Sequence, residues 1–224
     1  VLNFYLWNTI PTSFLGEEAC RKTGAKLVYA YLKDGDLDLE DFREKLTDRT
    51  KFVSITHASN VLGVINPIQE LAQLAHEKRS IMVVDGAQSV PHMKIDVQKL
   101  DADFFVFSGH KMAGPTGIGV LYGKEHYLNQ MSPVEFGGEM IDLSMNNPQL
   151  EGTPLEIRSW DPNMAGAIGL AAAIDYLEAI GMDAIEHHEQ DLIAYVFPKL
   201  QAIEGLKIYG SQDLAKRSGW FPST

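Results

Sequence analysis

The sequence of 224 residues is 45% hydrophobic, and its 19 basic and 30 acidic residues give a formal net charge of −11. Such a chain can bury a substantial core, and its dispersed acidic residues argue against nucleic acid as the main partner, because phosphate binding depends on clustered Lys and Arg. The single cysteine, Cys20, cannot form an internal disulfide, so we expect a reducing, cytoplasmic setting.

Neither a membrane segment nor a metal site is expected. The mostly apolar residues 1–7 are too few to span a bilayer and carry no leader pattern. No Cys/His grouping has the spacing of a zinc site, and the pair His187 and His188 is better explained as part of a solvated helix face.

Strand-like and helix-like segments alternate, which predicts βαβ units on a mostly parallel sheet. In chain order, we expect strands at residues 26–32, 51–56, 81–84, 104–107 and 118–122, and helices at 39–46, from 67 onward, at 164–180 and at 183–203. Asn66 and Asp183 are predicted N-caps, and Pro67 is expected at the first helical position. Residues 131–160 hold several Gly and Pro residues and are expected to form a long excursion outside the core.

Polar residues follow two of the predicted strands. Asp85 and Gln88 come after the run at 81–84, while Ser108, His110 and Lys111 come after the run at 104–107. Open α/β sheets bind ligands where parallel strands end. Pyridoxal phosphate needs a lysine for an imine and a carboxylate beside its pyridine nitrogen, and Lys111 and Asp85 could supply both.

Simpler interpretations exist for each of these residues. Asp85 could cap the turn that follows its strand, and Gln88 could be a solvated turn residue. A lone lysine is usually a surface charge, although the apolar run before Lys111 and the glycines after it favour burial.

Four stretches of the sequence are typical of one known family: THASNVLG at 56–63, VDGAQ at 84–88, FSGHKMAGPTGIG at 107–119 and GGEMI at 137–141. In these stretches the chain resembles the cysteine desulfurases of the class V aminotransferase family, in particular their Suf-type branch. With the intervening spacing, the resemblance covers roughly residues 17–218, apart from one internal break.

The resemblance implies a fold and a domain division. The fold class is α/β, the large domain of fold-type I pyridoxal phosphate enzymes, with a mostly parallel sheet of the seven-stranded type and helices on both faces, incomplete at both ends. Residues 1–205 would form part of this domain, with 1–16 and 157–162 atypical, and residues 206–224 would begin the C-terminal small domain.

The resemblance also implies roles for six residues. Lys111 is the expected imine lysine and catalytic residue, Asp85 the partner of the pyridinium, Gln88 the ligand of the phenolic oxygen, Ser108 and His110 the phosphate ligands, and Asn60 the residue near the substrate carboxylate and a cofactor oxygen. His57 is expected to border this site.

In this family, L-cysteine is converted to L-alanine, and its sulfur passes through an enzyme persulfide to an acceptor for iron-sulfur cluster assembly. The family forms homodimers. Its nucleophilic cysteine and its substrate-carboxylate arginine belong to a C-terminal region that this sequence does not contain, and Cys20 does not match that cysteine. We therefore expect this chain to be inactive alone. Selenocysteine lyase and a catalytically dead cofactor-binding or interaction fragment remain alternatives.

Three stretches depart from the family pattern in a shared way, at residues 7–16, 157–162 and 220–224. At the second, codons for Phe-Glu-Ala-Gly-Thr-Pro regrouped one base early encode Ile-Arg-Ser-Trp-Asp-Pro, which is the sequence found. We expect that frameshifts, in the gene or in its sequencing, produced these stretches. Thr9 would then replace a ring-stacking histidine, and Asp161 a threonine that reaches the partner subunit's phosphate. In-frame codons in independent DNA reads would contradict this expectation.

Overall fold

The computed structural model describes residues 3–7, 10–131, 141–142, 149–150 and 163–218. These residues form ten strands and six α-helices. The strands are β1 (Asn3–Trp7), β2 (Lys26–Tyr29), β3 (Leu32–Lys33), β4 (Asp36–Leu37), β5 (Thr50–Thr56), β6 (Ile81–Asp85), β7 (Phe104–Ser108), β8 (Gly119–Gly123), β9 (Ile141–Asp142) and β10 (Gln149–Leu150). The helices are α1 (Ile10–Thr23), α2 (Leu39–Lys45), α3 (Ile68–Glu77), α4 (Glu125–Leu128), α5 (Met164–Ile180) and α6 (Met182–Gln201).

Six of these strands form one sheet, in the order β2-β1-β5-β6-β7-β8. Neighbouring strands are parallel from β2 to β7, and β8 alone runs antiparallel to β7. The predicted mostly parallel α/β sheet is therefore confirmed, with six strands contributed by the described residues. The division of the chain at residue 205 stays a prediction.

One face of the sheet carries the hydrophobic core. Ile55, Val84 and Phe105 lie side by side in register on β5, β6 and β7, and each is at most 1% exposed. Helices α2 and α3 cover this face with buried residues Phe42, Ile68, Leu71, Ala72 and Ala75. Each large apolar side chain buried here contributes about 1.5–3 kcal/mol. The long apolar runs of these strands thus reflect burial against helices.

The strand predicted at 26–32 ends at Tyr29 in the structure. Residues 32–37 instead form the β3–β4 hairpin, whose two-residue turn places Asp34 and Gly35 at positive φ. The Tyr31 amide donates to Asp41 Oδ2 at 2.8 Å, which holds the chain away from the sheet.

The helix predicted after Asn66 is confirmed as α3, but the predicted cap is wrong. The N-cap is Pro67, which has no side chain that could accept the bond. Asn66 is buried and its Nδ2 donates to the Thr56 carbonyl at 2.8 Å. Asn66 therefore connects the start of α3 to the end of β5.

The helix predicted at 164–180 is confirmed as α5, and Asn163 caps it by accepting from the Gly166 amide. Gly181, at φ 93°, ends α5 and is also the N-cap of α6. Asp183 lies in the first turn of α6, so its predicted capping role is wrong. Among the described residues, no single helix is long and apolar enough to cross a membrane, although α5 and α6, bent by 69°, pass that test as a pair.

Several sequence expectations fall on residues outside the described ranges. Within the predicted excursion at 131–160, the structure describes the antiparallel pair β9–β10 and Met131. In the atypical stretch 7–16, Trp7 ends β1 and Ile10 begins α1. Thr9, Asp161 and residues 220–224 lie outside the described residues.

Candidate active site

The candidate site lies where the three central strands end. Asp85 of β6 is in register with Thr56 of β5 on one side and with Val106 of β7 on the other. These strands are parallel, so their carboxyl ends meet at one edge of the sheet, which is the usual place for a ligand in an open α/β fold. The structure thus brings the two predicted polar segments together.

Asp85 and Ser108 share one face of the sheet. Residues in register point to the same face, and residues two apart along a strand do so as well. Asp85 is in register with Val106, and Ser108 follows Val106 by two positions. This face is opposite to the core face of Val84 and Phe105. The Cα atom of Ser108 is consequently about 7 Å further along the strand direction than the Cα atom of Asp85.

Asp85 both caps a turn and retains an oxygen for a ligand. Its Oδ1 accepts a hydrogen bond of 2.9 Å from the Ala87 amide, so the interpretation as a turn cap is correct. The side chain is half-buried, and within the described parts of the chain no other hydrogen bond reaches this carboxylate. Oδ2 can therefore accept from a bound group.

Gly86 allows the backbone to turn tightly after Asp85. Its amide donates to the Val106 carbonyl at 2.8 Å, which extends the β6–β7 pairing past the strand end. A Cβ at this position would overlap the ring of Phe105, which is itself fixed in the core at 1% exposure. Only glycine fits here without moving the core.

Lys111 lies at the end of a single 3₁₀ turn, Gly109–Lys111, that follows β7 directly. The Gly109 amide donates to the Ile118 carbonyl at 2.9 Å, and the Met112 amide donates to the Gly109 carbonyl at 3.0 Å. Met112 takes the inward position and is 5% exposed. Lys111 and His110 are exposed, so the burial expected for Lys111 is wrong. Their amine and ring are open to a ligand at the strand ends.

Behind this turn lies an apolar cavity of about 490 Å³. Phe107 and Met112 line it on the sheet side, and Leu177 of α5 and Met182 of α6 line it on the helix side. None of the six predicted site residues lines this cavity. The polar residues that could fix a charged cofactor are instead at the strand ends.

Gln88 and Asn60 lie on the two segments that leave this edge. Gln88 is half-buried in the turn after Asp85, where the Ser89 amide bonds the Gly86 carbonyl at 3.0 Å. Asn60 is exposed in the loop after β5. The structure places both beside the strand ends, while their roles toward a ligand stay predictions.

His57 is the first residue after β5, is 6% exposed, and meets the Phe105 ring edge-on with centroids 6.4 Å apart. Burial lowers the pKa of His57 from 6.5 to about 4, so the ring is neutral at physiological pH. Its backbone N–H donates to the Asp85 carbonyl at 2.8 Å. His57 therefore supports the position of Asp85 from the core face.

The chemistry of this donor set fits pyridoxal phosphate. A half-buried carboxylate with one oxygen available favours a protonated ring nitrogen, and an exposed lysine amine can attack an aldehyde carbon. The Ser108 hydroxyl and the His110 ring lie between these two groups in sequence and can donate to a phosphate.

Metal binding has no comparable basis in the part of the chain that the structure describes. There, no group of three or more His, Cys, Asp or Glu residues could hold a metal ion. His187 Nε2 lies 3.7 Å from Asp191 Oδ2, and both side chains are more than two-thirds exposed.

The sheet order and the strand-end residues define an α/β domain of the pyridoxal phosphate-dependent transferase type, and the solved structure of apo cysteine desulfurase from Thermococcus onnurineus NA1 has the same fold. The two superpose with a TM-score of 0.90 at 38% identity, over 97% of this chain and 55% of the other. The chain belongs to the aminotransferase class-V family, whose sequence profile matches residues 12–222.

Curated relatives carry the same description. A probable cysteine desulfurase of Halalkalibacterium halodurans is 54% identical over 205 residues, which is 91% of this chain and 50% of the relative. A cysteine desulfurase of Haloferax volcanii is 46% identical over 196 residues, 87% of this chain and 46% of the relative. The chain therefore spans about half the length of the curated relatives it matches.

Proposed function

We propose that this chain is the cofactor-binding part of a pyridoxal phosphate-dependent cysteine desulfurase of the Suf type. The observation that carries the proposal is the placement of Asp85 and Ser108 on one face at adjacent strand ends, with Lys111 exposed three residues beyond Ser108. The relatives named cysteine desulfurase support the same assignment.

In this proposal, five of the six predicted site residues hold the cofactor. Lys111 Nζ holds the cofactor covalently, Asp85 Oδ2 holds the proton on the ring nitrogen, Gln88 donates to the phenolic oxygen, and Ser108 and His110 donate to the phosphate. When bound, the cofactor supplies an electron sink for bonds broken at the substrate. The negative charge of Asp85 keeps that sink protonated, because an adjacent carboxylate favours the charged form of a base.

Asn60 contacts a cofactor oxygen and orients the substrate, L-cysteine, through its carboxylate. The reaction gives L-alanine, and the sulfur passes as a persulfide to an acceptor for iron-sulfur cluster assembly. Cys20 is poorly suited to receive that sulfur, because it is 8% exposed and burial raises the pKa of its thiol. We assign the persulfide to a cysteine of the region that the longer relatives have and this chain does not span.

We also propose that the protein is a homodimer and that it acts in the cytoplasm.

The experiment that tests the proposal is a titration of the purified chain with pyridoxal phosphate, followed by visible absorbance. We expect a band from the lysine-bound cofactor, and no band from Lys111→Ala. Lys99→Ala, which removes an exposed lysine elsewhere, is the matched control and should bind like the original chain. A missing band in the original chain, or an unchanged band in Lys111→Ala, contradicts the proposal.

A second measurement concerns turnover. Alanine release from L-cysteine and from L-selenocysteine is assayed with the cofactor-loaded chain, and we expect none because the sulfur-accepting cysteine lies elsewhere. Alanine release from cysteine would overturn that assignment, and release from selenocysteine alone would favour a selenocysteine lyase.

A further inference from the structure

Asn60 lies in a tight loop, residues 59–63, which we call the Asn60 loop. Ser59 closes it from within: its Oγ accepts from the Val61 amide at 3.2 Å and from the Leu62 amide at 3.1 Å. The Ser59 carbonyl accepts from the Gly63 amide at 3.0 Å. Gly63 is at φ 66°, where a side chain would be strained. The loop is thus ordered around its own serine while Asn60 is exposed at its tip.

The exit of this loop is clamped by a segment more than 150 residues later in sequence. Val64 and Arg217 form an isolated antiparallel bridge. The Ile65 amide donates to the Lys216 carbonyl at 2.8 Å, and the Ser218 amide donates to the Gly63 carbonyl at 2.7 Å. These two bonds fix residues 63–65 against residues 216–218.

Arg217 is the buried centre of that clamp, at 2% exposure. Its Nη2 donates to the Tyr209 carbonyl at 3.1 Å, and its Nη1 donates to the Ser211 carbonyl. The guanidinium carbon lies 5.3 Å from the centroid of the Phe197 ring of α6. Burial lowers the pKa of Arg217 and the negative charge of Asp36 opposes that shift. One planar cation therefore bonds two carbonyls of the segment 209–218 and packs on α6.

The same segment touches the Asn60 loop directly through glycines. A Cβ at Gly210 would overlap the Leu62 carbonyl oxygen, and a Cβ at Gly35 would overlap the Gly210 backbone. Both glycines are at φ of about 90°. The Ser211 hydroxyl, next to Gly210, donates to Asp36 Oδ2 at 3.0 Å. The loop, the β3–β4 hairpin and the segment 209–218 are consequently in van der Waals contact at one junction.

We propose that Arg217 is a positioning residue for Asn60: by shaping the segment 209–218, it fixes the Asn60 loop and so sets how tightly the site binds its cofactor. This inference rests on the proposed function, because the role of Asn60 is part of it. Lysine cannot replace the guanidinium, since a point charge cannot bond both carbonyls in a fork and stack on a ring together.

The test is a double-mutant cycle on this chain, with Arg217→Lys, Asn60→Ala and their combination. The measured quantity is the dissociation constant of pyridoxal phosphate. We expect Arg217→Lys to weaken binding about tenfold when Asn60 is present and less than about twofold when Asn60 is already alanine. Equal losses in the two backgrounds, or no loss in either, would overturn the proposal. Arg49→Lys, at an exposed arginine, is the matched control.

Hydrogen exchange provides a readout that does not need the cofactor. Arg217→Lys should speed exchange of the Gly63, Ile65 and Ser218 amides about tenfold or more, and leave the Val84 amide unchanged. If the original chain binds no cofactor, the proposed function fails, and exchange alone still decides whether Arg217 clamps the loop. Unchanged exchange at all three amides means that it does not.

A milder variant keeps the proposal testable if Arg217→Lys does not fold. Phe197→Leu removes only the aromatic face beside the guanidinium and should change exchange and cofactor affinity in the same direction as Arg217→Lys, by a smaller factor. If Phe197→Leu is folded and alters neither quantity, the clamp does not position Asn60.

Discussion

The amide of His57 donates a 2.8 Å hydrogen bond to the carbonyl oxygen of Asp85, which continues the β5–β6 ladder one residue beyond the end of β5. The backbone of Asp85 is thus fixed independently of its side chain. The side chain in turn uses Oδ1 for the Ala87 amide. Position and charge at this residue can therefore be separated by mutation.

Asp85→Asn should leave the fold intact, because an amide oxygen can still accept from Ala87. The lost negative charge should weaken pyridoxal phosphate binding about tenfold or more. Cofactor titration and a thermal melt of the same sample measure the two effects. Asp96→Asn, where an exposed aspartate also accepts from nearby amides, is the control. An unchanged affinity in Asp85→Asn would mean that Asp85 is only a turn cap, because the asparagine keeps the bond from the Ala87 amide.

Lys111→Ala should abolish the cofactor's visible band without destabilising the chain, because the lysine side chain is exposed. We expect a change in the free energy of unfolding within about 0.5 kcal/mol. Urea unfolding, followed by circular dichroism, measures it. A loss of several kcal/mol would show that Lys111 supports the turn after β7 as well.

His57 should make stability depend on pH. Its pKa is about 4 in the folded chain and 6.5 as the ordinary value, so the unfolded chain binds the proton first as pH falls. The stabilisation is complete above pH 6.5 and is lost as the pH falls toward 4, by up to about 3 kcal/mol. Unfolding free energies from pH 7 to 4 should fall less steeply in His57→Phe, which keeps a ring beside Phe105. Identical pH profiles would contradict this prediction.

At the end of the sheet where β7 begins, Asp103 should contribute more to the free energy of unfolding than any other acidic residue. It is 1% exposed, and its Oδ2 accepts from the Met82 amide at 2.7 Å and lies 2.8 Å from His76 Nε2, while Lys124 Nζ lies 2.8 Å from Oδ1. Asp103→Asn removes a buried charged acceptor from the Met82 amide and the negative charge beside Lys124 Nζ, and should cost about 1.5–3 kcal/mol in urea unfolding.

Asp101→Asn is the matched control for Asp103. Asp101 contacts the same histidine and lysine but is 52% exposed, and asparagine tolerates its positive φ. We expect a loss below about 1 kcal/mol. Comparable losses at the two positions would show that burial does not set the strength of these ion pairs.

The sequence predicted those elements whose patterns are local. Helix α5 coincides with an apolar, Ala-rich run that ends before Gly181, and its bounds match the prediction. Asn66 was predicted wrongly because its side chain bonds the Thr56 carbonyl, a partner ten residues earlier in sequence that only the folded chain brings near. Local capping rules cannot anticipate such a competing tertiary bond.

In the candidate site, too, local patterns were predictable and tertiary contacts were not. Asp85 and Ser108 were placed correctly at strand ends, because apolar runs mark where buried strands stop. The exposure of Lys111 was not foreseen, since only the 3₁₀ geometry decides that Met112, and not Lys111, turns inward.

The sequence did not predict any role for Arg217, although Gly35 and Gly210 are sequence signals of close backbone contact. Nothing in the linear sequence connects those glycines to Asn60.

The position of β1 in the sheet has a topological consequence for the whole chain. β1 lies between β2 and β5 and pairs with both. Residues 3–7 therefore form an interior strand of the sheet. Loss of an edge strand would only shorten the sheet, whereas loss of β1 would divide it in two. Strand β2 would then lose its only neighbour in the six-stranded sheet, and β5 would acquire an open edge able to pair with other chains.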